Sequence, residues 1–316
     1  MADDESKDPL ALLQQHIHKH AEKAQQRQER KAAETPIQLF LPGFEEALRA
    51  MPNNINRSSL FAPIARGRRK VHTGAVLVSR IDSILEYWGE QLDEADADIV
   101  LQLMYEARRA PLGEPIKVNR AAFLRAMGRS TGKHDYEWLH RRLKSLMMST
   151  LIIEAKRPDG SRKYQIGKSE AFHILQGFGY DEETEVYTFT LDPRWRTLFG
   201  GSEYALIDWD KRLEIGQDMA KALQRLVTTS ADPVQRYALD WLKAKMQYNS
   251  PMRKFKESLT AAMEELARLG IIASGRIEGQ HQGQGAGRFD EGLASVQRSA
   301  LATQEVIHRR AERVSG

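Results

Sequence analysis

Between Asp93 and Gly167 the spacing of apolar residues changes from a helical period to a strand period, and the order of those periods narrows the fold more than any other feature. Ile99, Val100, Leu103 and Met104 recur at helical spacing within residues 93–109. Asn119 stands as a helix N-cap before a short helix to Met127, which offers Ala121, Ala122, Phe123, Leu124 and Met127 for burial. After "GRSTGKHD" a third helix is predicted over about 135–147. Thr150–Lys156 and Ser161–Gly167 are β-rich runs joined at Pro158-Asp159-Gly160, which predicts a hairpin. Helix, helix, turn, helix, hairpin is the sequence order of a winged helix-turn-helix. Further strand is predicted at 170–178 and 185–191.

The second half repeats this order in different letters. Met219, Leu223, Leu226 and Val227 give residues 218–228 one apolar side, and Tyr237, Ala238, Trp241, Leu242 and Met246 do the same for 234–247. Ser250 is expected to cap a third helix with Pro251 at its first position and Gly270 just past its end, followed by a short strand in "IIASGRIEG". The expected architecture is therefore α+β: two tandem winged-helix domains, 71–200 and 201–279, between flexible ends. Residues 1–34 are expected to be a disordered polar tail, 35–70 an extended arm, and 280–316 a Gly/Gln linker with a peripheral helix carrying Leu293, Val296, Ala300, Val306 and Ile307.

Charge placement points to nucleic acid more clearly than the total does, since 47 basic against 43 acidic residues leave a net charge of only +4. With Leu139 placed in the core, Tyr136, Leu143, Leu146 and Met147 share its side of the third helix. His134, Glu137, Arg141, Lys144 and Ser145 take the other. Arg129, Lys133, Arg141, Arg142 and Lys144 cluster in sequence with the hairpin residues Lys156, Arg157, Arg162 and Lys163, the electrostatic footprint expected of a DNA-binding unit. An ordinary mixed-charge surface helix is the competing reading. In the second unit the helix from Pro251 carries Arg253, Lys254 and Lys256 at its amino end and Glu264 and Glu265 near its carboxyl end. That order opposes the helix dipole and makes sense where the amino end meets phosphate.

Other chemistries find less support. The chain has no Cys, so disulfide and thiolate-metal frameworks are excluded, and it has neither a membrane-length apolar run nor a signal-peptide core; a cytoplasmic location is expected. "GRSTGKH" at 128–134 is one residue short of a phosphate loop, with His134 at the Ser/Thr position. His16, His18 and His20 imitate the metal ligands of a nicking enzyme but lie in the polar tail. Asp93, Glu94, Asp96 and Asp98 read as first-turn acids favoured by the helix dipole. No catalytic arrangement, metal site or cofactor is identified, and the chain is expected not to be an enzyme.

"RAMPNNINRSSLF" (49–61) and "RRAPLGEPI" (108–116) resemble signature stretches of the TrfA family of plasmid replication initiators, and the resemblance spans roughly 37–279. It implies a protein that binds double-stranded origin DNA at direct repeats (iterons), promotes opening of a nearby duplex, and recruits the host replicative helicase. Inactive homodimers are typical of the wider group. Members also carry a clamp-binding peptide, Gln-Leu-x-Leu-Phe, which Gln38, Leu39 and Leu41 match here. Pro42 stands where Phe is expected, and Phe44 is the next aromatic. Two readings of 38–44 stand: a ligand for the sliding clamp, or a strand packed on the first domain. A winged-helix transcriptional repressor is the alternative function, and it has no use for a clamp ligand.

Overall fold

The computed structural model describes residues 41, 46–64, 67, 69–157, 159–168, 170–200, 203–278 and 292–299. The first core starts with β1 (Leu48–Pro52), α1 (Asn53–Arg57), β2 (Phe61–Ala62), β3 (Val71–Leu77), β4 (Ser83–Glu90), β5 (Leu92–Asp93) and α2 (Glu94–Ala107). It continues through β6 (Ile116–Asn119), α3 (Arg120–Ala126), α4 (Lys133–Met147), β7 (Thr150–Lys156), β8 (Arg162–Ile166) and β9 (Phe172–His173). It ends with β10 (Gly177–Asp181), β11 (Val186–Thr190), α5 (Trp195–Phe199), β12 (Tyr204–Asp208) and the start of α6 (Trp209–Glu214). The second core comprises α7 (Asp218–Val227), β13 (Val234–Ala238), α8 (Leu239–Lys245), α9 (Met252–Arg268), β14 (Ile272–Glu278) and β15 (Leu293–Arg298).

Local chemistry accounts for most element boundaries. Asp93 and Asp96 form a reciprocal capping box that starts α2. The Asn119 side chain accepts from the amides of Ala121 and Ala122 and starts α3. The α4 stripe falls as the period requires, with Leu139, Leu143 and Leu146 buried and Tyr136 and Met147 packed beside them. The β7–β8 hairpin forms at the predicted place and joins a sheet of order β3–β4–β7–β8, with β9 added on β7.

Several expectations are corrected. The arm expected at 35–70 is largely structural: β1 pairs antiparallel with β12 from Leu48↔Asp208 to Pro52↔Tyr204, and Met51, Ile55, Leu60 and Phe61 are buried. Pro52 is tolerated because it closes its strand in a two-stranded sheet. The helix expected over 234–247 is a strand followed by a helix. Tyr237 and Trp241 stack at 6.0 Å across that boundary, so their i,i+4 spacing imitated one continuous helix. The described part of the peripheral helix expected beyond residue 292 is instead β15, which lies between β13 and β14 and buries Ala294 and Val296. Both strands owe their state to partners distant in sequence, which local periodicity does not register. Ser250 is not the cap of α9; Pro251 holds that position without a side-chain bond. The tail 1–34, most of 280–316, Pro158, Gln38, Leu39 and Phe44 lie outside the described residues.

A buried ionic cluster joins the two cores. Glu94 and Asp98 on α2 receive Arg212 of α6, whose Nη2 donates to Glu94 Oε2 at 3.0 Å and whose Nε donates to Asp98 Oδ1 at 2.5 Å. Arg225 of α7 donates twice to Glu94 and once to the Phe61 carbonyl oxygen at 3.0 Å, while Lys221 reaches Asp98 at 2.7 Å. These acids thus do more than favour a helix dipole: they neutralise cations brought in by the second half of the chain. Lys245, fully buried at the end of α8, has no hydrogen-bond partner for its Nζ among the described residues. Burial, with the nearby Arg225 charge, pushes its pKa down from 10.5 to about 7.

A lysine depressed in this way binds its proton more weakly when folded than when unfolded. Stability therefore rises with pH between about 7 and 10.5, and the cost of the lysine is fully present below that window. Lys245→Met keeps the side-chain length and removes the charge. We expect it to raise the unfolding free energy at pH 7 by about 1–4 kcal/mol. The gain should shrink toward pH 10, as read by urea denaturation across that range.

Candidate nucleic-acid interface

The two cores place the same run of elements in the same order. A helix (α2 or α7) is followed by a strand (β6 or β13), a short helix (α3 or α8), a turn, a long helix (α4 or α9) and a strand (β7 or β14). In each unit the long helix buries one side and exposes basic groups on the other.

On α4, Lys133, His134, Arg141 and Lys144 are exposed, which the helical period predicted for the last three. Lys133 is 3.9 Å from Glu137 with both side chains mostly in solvent, an arrangement too exposed to hold the lysine in place. Arg129 sits before the helix and donates to Asp135 Oδ1 at 3.0 Å from Nη2, with its guanidinium 3.7 Å over the Trp138 ring. It shapes the turn between α3 and α4.

Arg142 does not belong with the exposed cations. It is buried, its Nε and Nη2 donate to Asp96 at 2.6 and 2.8 Å, and its Nη1 donates to Glu90 Oε2 at 2.6 Å. Burial disfavours the charged guanidinium, but bonds to Asp96 and Glu90 outweigh this and raise its pKa. Arg142 therefore anchors α4 to α2 and β4. The sequence placed it among DNA contacts because neighbouring basic letters on a helix point in directions 100° apart. Ser145 joins the same anchor by donating to Glu90 at 2.9 Å.

The hairpin cations differ among themselves. Arg157 donates to the Arg162 carbonyl oxygen at 2.6 Å and so braces the hairpin turn. Arg162 lies 3.7 Å from Glu154 and remains mostly exposed. Lys163 pairs with Glu203 at 2.5 Å, which ties β8 to the start of β12. Lys156, Arg157 and Lys163 share with Asn53, Asn54 and Arg57 the lining of a cavity of about 740 Å³. The stretch at 49–61 thus supports the hairpin from beneath, where Asn54 donates to the Tyr164 hydroxyl at 2.5 Å.

On α9, Phe255, Leu259, Met263 and Leu266 are buried, while Arg253 and Lys254 project into solvent and Lys256 is half-buried. Arg253 donates to Glu257 at 2.8 Å, one turn along the helix. Pro251 at the cap and Arg253, Lys254 and Lys256 in the first turns leave the amino end of α9 without a first-turn acid.

Sequence reading missed the aromatic wall beside α4. Arg120, the first residue of α3, lies 3.7 Å over the Tyr136 ring and 5.5 Å from the Tyr180 ring. His140 of α4 packs against Phe178, Tyr180 and Tyr187 of the β10–β11 hairpin at 5.3–6.1 Å between ring centroids. Burial and Lys144 lower the His140 pKa, favouring the neutral ring at neutral pH. The repeated aromatics at 178, 180 and 187 were the available signal.

Leu41, in the segment read either as a clamp ligand or as a strand packed on the first domain, is buried in the first core. The loop 128–132 joins two helices and follows no strand, unlike a phosphate loop. Among the described residues no group of three His, Asp or Glu side chains is placed to hold a metal ion, and no helix is long and apolar enough to cross a membrane.

Comparison with curated proteins finds no match. Among solved structures, domains 2 and 3 of RctB align with a TM-score of 0.52 at 10% identity, covering 79% of this chain and 99% of that one. The Pi initiator protein, solved in complex with iteron DNA, aligns with a TM-score of 0.52 at 14% identity, covering 82% of this chain and all of that one. At such identities the likeness speaks for the fold. The TrfA protein family model matches residues 12–281. The chain therefore belongs to the TrfA family of plasmid replication initiators.

Proposed function

We propose that this protein initiates plasmid replication by binding iterons in double-stranded origin DNA through two winged-helix units, with α4 and α9 as the reading helices. The observation that carries this reading is the repeated order of elements, each copy presenting a long helix with one side buried and cations exposed on the other. Such a helix has its angle set by packing and its donors free for a major groove. Two of them on one chain suit successive grooves about 34 Å apart along a duplex. Arg141, Lys144, Arg253 and Lys254 are the proposed groove-facing cations, with His134 beside them. Lys133, Lys156, Arg157, Arg162, Lys163 and Lys256 are assigned to the flanking phosphates.

In this reading the protein has no catalytic step of its own; binding energy promotes local duplex opening, and the host helicase is recruited to the opened strand. A homodimer is the inactive form. The sliding-clamp contact at 38–44 requires an amendment. Leu41 is a core residue, so clamp engagement either withdraws it or relies on Gln38, Leu39 and Phe44.

Footprinting on the origin region of the protein's own plasmid tests the function. Protection of regularly spaced direct repeats is expected. Protection of a single palindrome near a promoter would instead identify a repressor.

A further inference from the structure

The turns that precede α4 and α9 have the same backbone. After α3, Gly128 N–H donates to the Arg125 carbonyl oxygen at 2.9 Å and Arg129 N–H to that of Leu124 at 3.0 Å. After α8, Gln247 N–H donates to the Ala244 carbonyl oxygen at 3.0 Å and Tyr248 N–H to that of Lys243 at 3.0 Å. This is the helix-ending motif that places one residue in the left-handed region, where glycine is the usual occupant. Gly128 fills it at φ +67°. Gln247 fills the equivalent place at φ +49°, a conformation that costs an L-residue with a Cβ.

The side chain of Gln247 shows what glycine would lack. Its Nε2 donates to the Ser59 carbonyl oxygen at 2.7 Å, and its Oε1 accepts from Gln91 Nε2 at 2.5 Å. Ser59 and Gln91 are both buried parts of the first core, the latter between β4 and β5. Both ends of the Gln247 amide are therefore fastened to one core, while its backbone forms the turn that aims the long helix of the other. Trp241 of α8 makes a further crossing, donating to the Ser79 carbonyl oxygen at 3.2 Å.

We propose that Gln247 is a positioning residue that couples the direction of α9 to the first core and so sets the spacing at which the two reading helices engage DNA. This rests on the two-helix reading above. The buried ionic cluster holds the cores together; the Gln247 bridge acts at the turn itself, one residue beyond the C-cap of α8 and five before the first residue of α9. Its partners are neutral, so the bridge is directional and insensitive to salt.

Gln247→Gly removes the bridge while relieving the backbone, so the variant is expected to fold. Gln91→Ala removes one of the bridge's two bonds from the other side and leaves the bond to the Ser59 carbonyl oxygen. The test measures binding of the full chain to a duplex bearing one footprinted repeat, and to duplexes with one to five base pairs inserted between its two protected halves. Wild type is expected to lose affinity steeply with insertion. Both variants are expected to bind the natural repeat roughly tenfold more weakly, the loss of one to two hydrogen bonds' worth of preorganisation. Their affinity should also fall less steeply with insertion, and combining them should add nothing further.

A change in fold stability alone would weaken all duplexes equally and leave the insertion profile unchanged. An unchanged profile in both variants would overturn the positioning role. A flat profile in wild type would instead overturn the two-helix reading itself, and the coupling with it.

Discussion

Glu94→Gln is expected to lower the unfolding free energy by about 3–5 kcal/mol. Glu94 is fully buried and is the shared acceptor of Arg212 and Arg225, both also fully buried. Neutralising it leaves two guanidiniums facing each other in a low-dielectric region that also holds the unpartnered Lys245. Asp98 compensates only Arg212 and Lys221. Arg225 would retain only neutral acceptors, the Phe61 carbonyl oxygen and Asn56 Oδ1. Urea denaturation at pH 7 measures the effect, and a loss below about 1 kcal/mol would show that the cluster is not a principal tie between the cores.

The same substitution carries a pH signature. Burial pushes the Glu94 carboxyl up, but Arg225 and then Arg212 outweigh it and hold the pKa below the ordinary 4.5. A depressed carboxyl contributes stability that is present above its unfolded pKa and is lost as pH falls through its folded one. Wild type should therefore lose stability below about pH 4.5 more steeply than Glu94→Gln. Lys245→Met changes the opposite flank, between pH 7 and 10.5, so the two substitutions separate the acidic and basic limits of one cluster.

Where the sequence was legible, local rules decided the outcome. The α4 stripe, the Asn119 cap, the β7–β8 hairpin and Gly270 past the end of α9 follow from spacing, side-chain capping and turn chemistry, and each stands where those rules placed it. β13 was not legible because its partner β15 lies 55 or more residues away, and Tyr237 and Trp241 imitated one continuous helix over 234–247; β15 was not legible because it forms only between β13 and β14. The segment at 48–62 was misread for the same reason, since β1 pairs with β12 beyond residue 200 and β2 pairs with β5 at 92–93.

At the interface, exposure separated residues that letters could not. Arg141 and Arg142 are adjacent, yet the first is free to meet a ligand and the second is enclosed by Asp96 and Glu90. Gln247 carried no signal at all: only its backbone conformation, set beside that of Gly128, marks it.

The α9 cations carry the central claim. Arg253 and Lys254 are exposed and oppose the helix dipole, so removing them should change stability by less than about 1 kcal/mol. If they meet phosphate or base edges, their loss removes about two counterion-releasing contacts. Arg253→Ala/Lys254→Ala should then weaken iteron binding at least about tenfold near physiological salt and reduce the slope of log K against log salt by about 2. The decisive measurement is that slope, taken for wild type and the double variant on the footprinted repeat. A shallower slope with weakened binding is the predicted result; identical slopes and affinities would contradict the assignment of α9 as a DNA-reading helix.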